Sequence, residues 1–308
     1  MFTVGVYRDG VKCSFEFPWR VSIVAFMANP KLLQGEEVEE TLKALAEDPF
    51  FDMLEVNPPE KPEHWRILEK IRDEAGVEIA IGAQPLVLMR GVNPSALDEA
   101  KRKSALNALK RVIDEAATRG VSKVALCSGP DPGVAARAKA KEALVASLKE
   151  LAAHAEGKGV TVILETFDRE WDKKQLIGPI REAVEIAKAV REEHGNFGLL
   201  WDLSHAPMLE EKPGDLEIAA PYLAHIHIGC TKRLPDGSLK DWHPGFYRPG
   251  SINGVEEVEE LIKALSHVRY RGALGFEVKP EEGQNWLEVV NAAKGVLYTA
   301  FARYASRL

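Results

Sequence analysis

A chain of 308 residues, 45% hydrophobic and 28% charged, has the balance of a globular protein with a full core, which excludes a disordered or collagen-like chain. Lys and Arg number 40 against 47 Asp and Glu, a formal charge of −7, so a phosphate backbone is a poor match and nucleic acid is not an expected partner. No run reaches the roughly 20 apolar residues that cross a bilayer, and the first residues lack the pattern of a secretory leader.

The chain opens with two strand-like runs in Thr3–Phe17 around Arg8-Asp9-Gly10, which predict a hairpin; Thr3–Tyr7 is the alternative first strand of the main fold. Short apolar runs then alternate with longer segments of helical periodicity. The predicted strands are Val21–Phe26, Met53–Val56, Val77–Ile81, Lys123–Leu126, Val160–Glu165, Phe197–Asp202, Leu223–Ile228 and Ala273–Val278. The predicted helices are Glu36–Glu47, Pro62–Ala75, Ser95–Arg119, Val134–Gly157, Ile177–Glu193, Leu216–Ala220, Val255–Ser266 and Trp286–Arg303. Gly76, Gly120 and Gly195 stand where helices should stop.

Eight strands alternating with eight helices predict an α/β protein, a (β/α)8 TIM barrel. We read one domain over 1–308, with 1–20 as an N-terminal extension and 21–308 as the barrel. No G-x-G-x-x-G or P-loop follows a strand, so a nucleotide-binding sheet has no support. Cys13, Cys127 and Cys230 lie far apart, at neither metal nor redox spacing. With no leader they read as reduced thiols of a cytoplasmic protein.

Glu165 ends ILETFD, Asp202 sits in WDLSHAP, His227 in HIHIG and Glu277 in GFEVKP. These are the carboxyl ends of predicted strands five to eight, the face on which such barrels do chemistry. Taken singly, each has an ordinary reading: a salt-bridged strand end, a turn former, a satisfied core histidine. Together, three carboxylates and an imidazole at one mouth would repel and desolvate one another without a cation. A divalent metal is the economical explanation.

These four motifs resemble the metal-site motifs of the xylose-isomerase-like barrels, which include ketose 3-epimerases, hydroxypyruvate-isomerase-like enzymes, inosose dehydratases and the endonuclease IV group. The resemblance implies that Glu165, Asp202, His227 and Glu277 hold one Mn2+, Co2+ or Mg2+ ion, with Zn2+ also compatible with the donor set. It further implies substrate-binding roles for His205, three residues after the Asp, and Arg233, six after the His. A cation that polarises a sugar carbonyl acidifies the neighbouring C–H. Glu165 and Glu277 would then move the proton through a cis-enediolate, giving a sugar isomerase or epimerase.

Two loops are long. Thr166–Leu176 carries Trp171, placed to stack on a sugar. Gly229–Gly254 departs from the epimerase pattern with Asp241-Trp242-His243-Pro244-Gly245-Phe246. The Asp-x-His is similar to the endonuclease IV group, where it helps to hold an additional zinc. The further histidines that group places after strands two and three are missing, since those ends read Val56-Asn57-Pro58 and Gly82-Ala83-Gln84. The His-Pro-x-Phe element looks like the barrel subunits of C-glycoside deglycosidases, which implies a lyase acting on a 3-oxo-sugar, with His243 or His205 as base and a small partner subunit. A non-catalytic sugar-binding barrel is the remaining alternative. Lys279 shares a strand face with Glu277 and is a substrate-contact candidate, while Asn57, Gln84 and Ser128 end earlier strands. Glu55, one residue before the end of strand two, reads as salt-bridged, with reach to the mouth as the alternative. The expected partner is a small sugar or polyol; relatives imply a homo-oligomer.

Overall fold

In the computed structural model, which describes residues 2–308, the first element is an antiparallel hairpin, β1 (Thr3–Arg8) and β2 (Val11–Glu16). Asp9 and Gly10 between them both have positive φ, 48° and 81°, as a two-residue turn that matches strand twist requires. The hairpin lies outside the barrel. The alternative of Thr3–Tyr7 as first barrel strand is therefore discarded.

Seven parallel strands follow: β3 (Arg20–Val24), β4 (Met53–Val56), β5 (Glu78–Gly82), β6 (Lys123–Cys127), β7 (Thr161–Glu165), β8 (Phe197–Asp202) and β9 (Leu223–Gly229). A small sheet, β10 (Thr231–Arg233), β11 (Leu239–Lys240) and β12 (Ser251–Ile252), interrupts the series. Then β13 (Ala273–Glu277) closes the ring between β9 and β3, giving a (β/α)8 barrel in the order β13-β3-β4-β5-β6-β7-β8-β9.

The helices are α1 (Ala25–Ala28), α2 (Val38–Ala46), α3 (Pro62–Ala75), α4 (Gln84–Arg90), α5 (Glu99–Thr118), α6 (Val134–Glu156), α7 (Ile180–Arg191), α8 (Ala206–Leu209), α9 (Val255–His267) and α10 (Trp286–Ala305). In α7 the buried positions are Ile180, Ala183, Ile186, Ala187 and Val190, one stripe at helical spacing that packs on the barrel. Leu164, Leu199, Trp201, Ile226 and Phe276 meet such stripes from the strands' outer face.

Inside the barrel, alternation builds layers. Met53, Ala80 and Ala273 form one small apolar cluster, and Ala125, Ile163 and Leu200 another, both separate from the outer core. Two residues along from Ile163, Leu200 and Ala273 stand Glu165, Asp202 and Gly275. The polar layer thus rests on an apolar floor.

Where the structure differs from the sequence reading, backbone chemistry explains it. The first strand stops at Val24 rather than Phe26, because Ala25–Ala28 turns helical at once. The helix expected from Ser95 starts at Glu99, since Asp98 caps it through Lys101 N at 3.0 Å. That expected from Ile177 waits for Pro179. Leu216–Ala220 is a 3-10 turn, Pro213–Ala219. Helix α4 was missed; Pro85 starts it and left-handed Gly91 stops it. No helix among the described residues is long and apolar enough to cross a membrane.

Candidate metal centre

Strand alternation points Glu165, Asp202, His227 and Glu277 inward at the carboxyl ends of β7, β8, β9 and β13. Parallel register sets Asp202 beside His227, and His227 beside Gly275, two residues before Glu277. One donor atom from each of the four side chains lies within 4.8 Å of the others. His227 Nδ1 stands 2.8 Å from Glu277 Oε2 and 3.7 Å from Glu165 Oε1.

The opposite edge of the His227 ring meets Glu55: Nε2 donates to Oε2 at 2.9 Å. The other Glu55 oxygen accepts from His225 Nε2 at 2.8 Å and Ser22 Oγ at 2.7 Å. Burial pushes the Glu55 carboxyl up, but His225 and His227 outweigh it and hold it well below its ordinary value. An ionised carboxylate only accepts, so His227 keeps its proton on Nε2 and turns Nδ1 to the mouth.

There Nδ1 and Glu165 Oε1 are buried without a hydrogen-bond partner. A lone pair and a carboxylate oxygen facing at 2.8 Å need a positive charge between them, a proton or a metal ion. Burial pulls His227 down, yet Glu55, Glu165 and Glu277 push it well above its usual range, so the ion-free ring is imidazolium. The donor set of oxygen and imidazole fits a divalent cation.

A second group adjoins the first. Asp202, His205 and His243 also bring donor atoms within 4.8 Å of one another. His243 Nε2 lies 2.6 Å from Asp241 Oδ1, and His205 Nε2 3.4 Å from the same atom. His205 Nδ1 donates to Thr166 O at 2.7 Å, leaving Nε2 aimed at Asp241 and Asp202. Burial lowers His243, but Glu277 and Asp241 reverse that and push it up to about 9. His243 itself has a left-handed backbone, φ 53°, and its carbonyl accepts from Lys279 N at 2.7 Å.

A family profile described as "Xylose isomerase-like TIM barrel" matches residues 43–297. The chain belongs to that family. Solved structures of similar fold include a D-psicose 3-epimerase from Clostridium cellulolyticum H10 with D-tagatose, at 20% identity and TM-score 0.66, covering 93% of this chain and 99% of that one. An IolI protein with a bound zinc atom aligns at 18% identity and TM-score 0.70, covering 92% and 99%. The 3-keto-D-glucoside 4-epimerase YcjR from E. coli aligns at 15% identity and TM-score 0.65, covering 91% and 99%.

In this xylose isomerase-like barrel a cavity of about 390 Å3 opens above the centre, lined by Glu165, His227, Glu277, Asp241 and His243 on its polar side. Phe26, Met27, Leu33, Leu88 and Phe167 form an apolar wall. Lys279 lines it as well, together with Lys173 and Lys240, which the sequence reading did not single out. Gln84, the first residue of α4, donates to Glu165 Oε2 at 2.7 Å.

Other candidates lie elsewhere. Arg233 is exposed on β10 and does not line the cavity, because strand pairing with β12 ties its backbone to Gly250 and turns its side chain to solvent. Trp171 is 43% exposed and also outside the lining, held there by a backbone bond to Asp168 Oδ1 at 2.8 Å. Ser128 is buried and accepts from Ile177 N, a loop tie. Asn57 lines a separate groove beside α3.

Proposed function

We propose that this protein is a divalent-cation-dependent isomerase or epimerase of a small sugar, in which Glu165 and Glu277 exchange a proton next to a carbonyl through a cis-enediolate. The observation that carries the reading is the pair of glutamates flanking His227 Nδ1, at 3.7 and 2.8 Å, beneath an open cavity. A divalent ion held by Glu165, Asp202, His227 and Glu277 would supply Lewis acidity to the carbonyl; the donor set is compatible with Mn2+, Co2+, Mg2+ or Zn2+, and we take Mn2+ as the test ion.

The two carboxyls differ. Burial pushes Glu165 up, and repulsion from Glu277 adds to this beyond what His227 offsets. At Glu277, burial is outweighed by His243 and His227, which hold it below its ordinary value. Without an ion, Glu165 thus favours holding a proton and Glu277 favours the ionised form, so the two carboxyls are set apart in acidity as an acid and a base must be. Gln84 fixes one Glu165 oxygen and leaves the other, Oε1, without a hydrogen-bond partner, 3.7 Å from His227 Nδ1. Psicose and keto-glucoside epimerases among the similar folds support sugars as the substrate class.

Incubation of the Mn2+-loaded protein with ketopentoses and ketohexoses in D2O tests this. Deuterium entering at a carbon next to the carbonyl, and lost in Glu277→Gln at equal metal content, is the expected result. Exchange that persists in that variant overturns the acid/base roles.

A second reading, elimination from a 3-oxo-sugar, draws on His243: Nε2 is paired to Asp241 Oδ1 at 2.6 Å and Nδ1 has no hydrogen-bond partner, so Nδ1, once deprotonated, is the atom that would take the proton. Release of aglycone from a 3-oxo-glycoside, absent in His243→Ala, would favour it.

A further inference from the structure

The mouth of this cavity carries two lysines with no carboxylate within ion-pair distance, although Asp241 and Glu281 act on Lys279 from farther away. Lys240 Nζ stands 4.4 Å and Lys279 Nζ 3.4 Å from the centre of the Trp242 ring. Both side chains are half-buried and line the cavity, and among the described residues neither forms an ion pair. That is unlike the rest of the molecule. Lys141, Lys149, Lys173, Lys232 and Lys294, similarly half-buried, each face a carboxylate. The chain has seven more acidic than basic side chains, yet leaves these two ammonium groups sharing one indole.

An aromatic face offsets part of the cost of a desolvated ammonium, but two on one ring repel each other. An anion bound beside the two ammoniums would relieve that repulsion. Their placement is fixed by the fold. Lys279 N donates to His243 O, and Pro244 bridges to Lys279, so β13's continuation holds Trp242 and Lys279 together. Lys279 lies two residues beyond Glu277, about 6–7 Å farther along extended chain. A short carbon chain spans that interval.

We propose that Lys240, Lys279 and Trp242 form an anion subsite, and that the substrate is a sugar derivative bearing a carboxylate or phosphate at the end remote from the reacting carbonyl. The sugar part rests on the function proposed above; the anion part rests on the lysines alone.

Calorimetric titration of the Mn2+-loaded protein with D-fructose, D-fructuronate and D-fructose 6-phosphate tests it. One of the two anionic sugars should bind at least about tenfold tighter than D-fructose, as charge-assisted hydrogen bonds give. Which one identifies carboxylate or phosphate. That ratio should fall about tenfold in Lys240→Gln/Lys279→Gln and persist in Lys279→Arg. Equal affinity for all three, no binding by either anion, or a preference that survives the double variant overturns the subsite. Deuterium exchange on the same samples keeps the two ideas apart. Lysine-dependent anion binding without exchange upholds the subsite and counts against the isomerase, whereas exchange on D-fructose with no anion preference does the reverse.

Discussion

Glu55 Oε2 accepts the His227 Nε2 proton at 2.9 Å across the two intervening strands β13 and β3, so the carboxylate that orients the candidate metal ligand comes from a different part of the sequence than the ligand set. Removing its charge frees the ring's tautomer and weakens Nδ1 as a donor. Glu55→Gln should lower Mn2+ affinity by about 10–100-fold, read by calorimetric titration. Unchanged affinity would refute the tautomer assignment.

The same contact explains a glycine. A Cβ at Gly275 would stand 2.7 Å from Ser22 Oγ and 3.0 Å from His227 Cδ2, and would press on Glu55 Oε1. Gly275→Ala should therefore weaken Mn2+ binding in the same direction as Glu55→Gln while keeping every donor. The double variant should show strong non-additivity, since both act through one carboxylate.

Ion-free protein should depend on pH through its imidazoliums. His243, at about 9 against an ordinary 6.5, favours the folded state fully below 6.5, and that contribution is lost as pH rises through 9. Melting of the chelator-treated protein should accordingly weaken from pH 6.5 to 9. Mn2+ held by the proposed donors would replace the proton at His227, so its binding at pH 7.5 should release protons, measurable in buffers of different ionisation enthalpy. At a free concentration one hundred times Kd, the ion should add about 2.7 kcal/mol of stability.

Glu182 on α7 ties the loop after β7 to the scaffold: Arg169 Nη1 and Nη2 reach it at 2.8 and 2.6 Å, and Lys141 at 2.7 Å. Burial raises its carboxyl, but Arg169 and Lys141 outweigh that and bring it down to about 2 from 4.5. A depressed carboxylate stabilises above pH 4.5, and the effect disappears as pH falls through 2. Glu182→Gln should cost about 1 kcal/mol at pH 7, given solvent screening of a partly exposed group. The gap between variant and wild-type melts should close on acidification. A gap independent of pH would mean that packing, not charge, holds the loop.

The barrel and its four inward donors were legible because both depend on local periodicity: strand alternation decides the face, and a charge ending an apolar run stands out. Glu55 was read as an ordinary salt bridge since nothing near it in the chain reveals His225 and His227, which reach it only when the ring closes. Arg233 was placed by spacing from His227, but spacing does not carry over a strand that changes sheets after Cys230. Lys173 and Lys240 were passed over for a similar reason. A lysine in a charged loop looks solvated until its neighbours are known, and both line the cavity.

Ring closure also orders assembly in time. Glu277 sits on β13, the strand that seals β9 to β3, whereas Glu165, Asp202 and His227 all come earlier in the chain. A polypeptide emerging from the ribosome therefore presents three donors before the fourth, and Glu55 has its partners only once β9 is made. The four-donor set is therefore complete only when β13 has closed the ring, so tight capture of an ion should accompany closure rather than precede it.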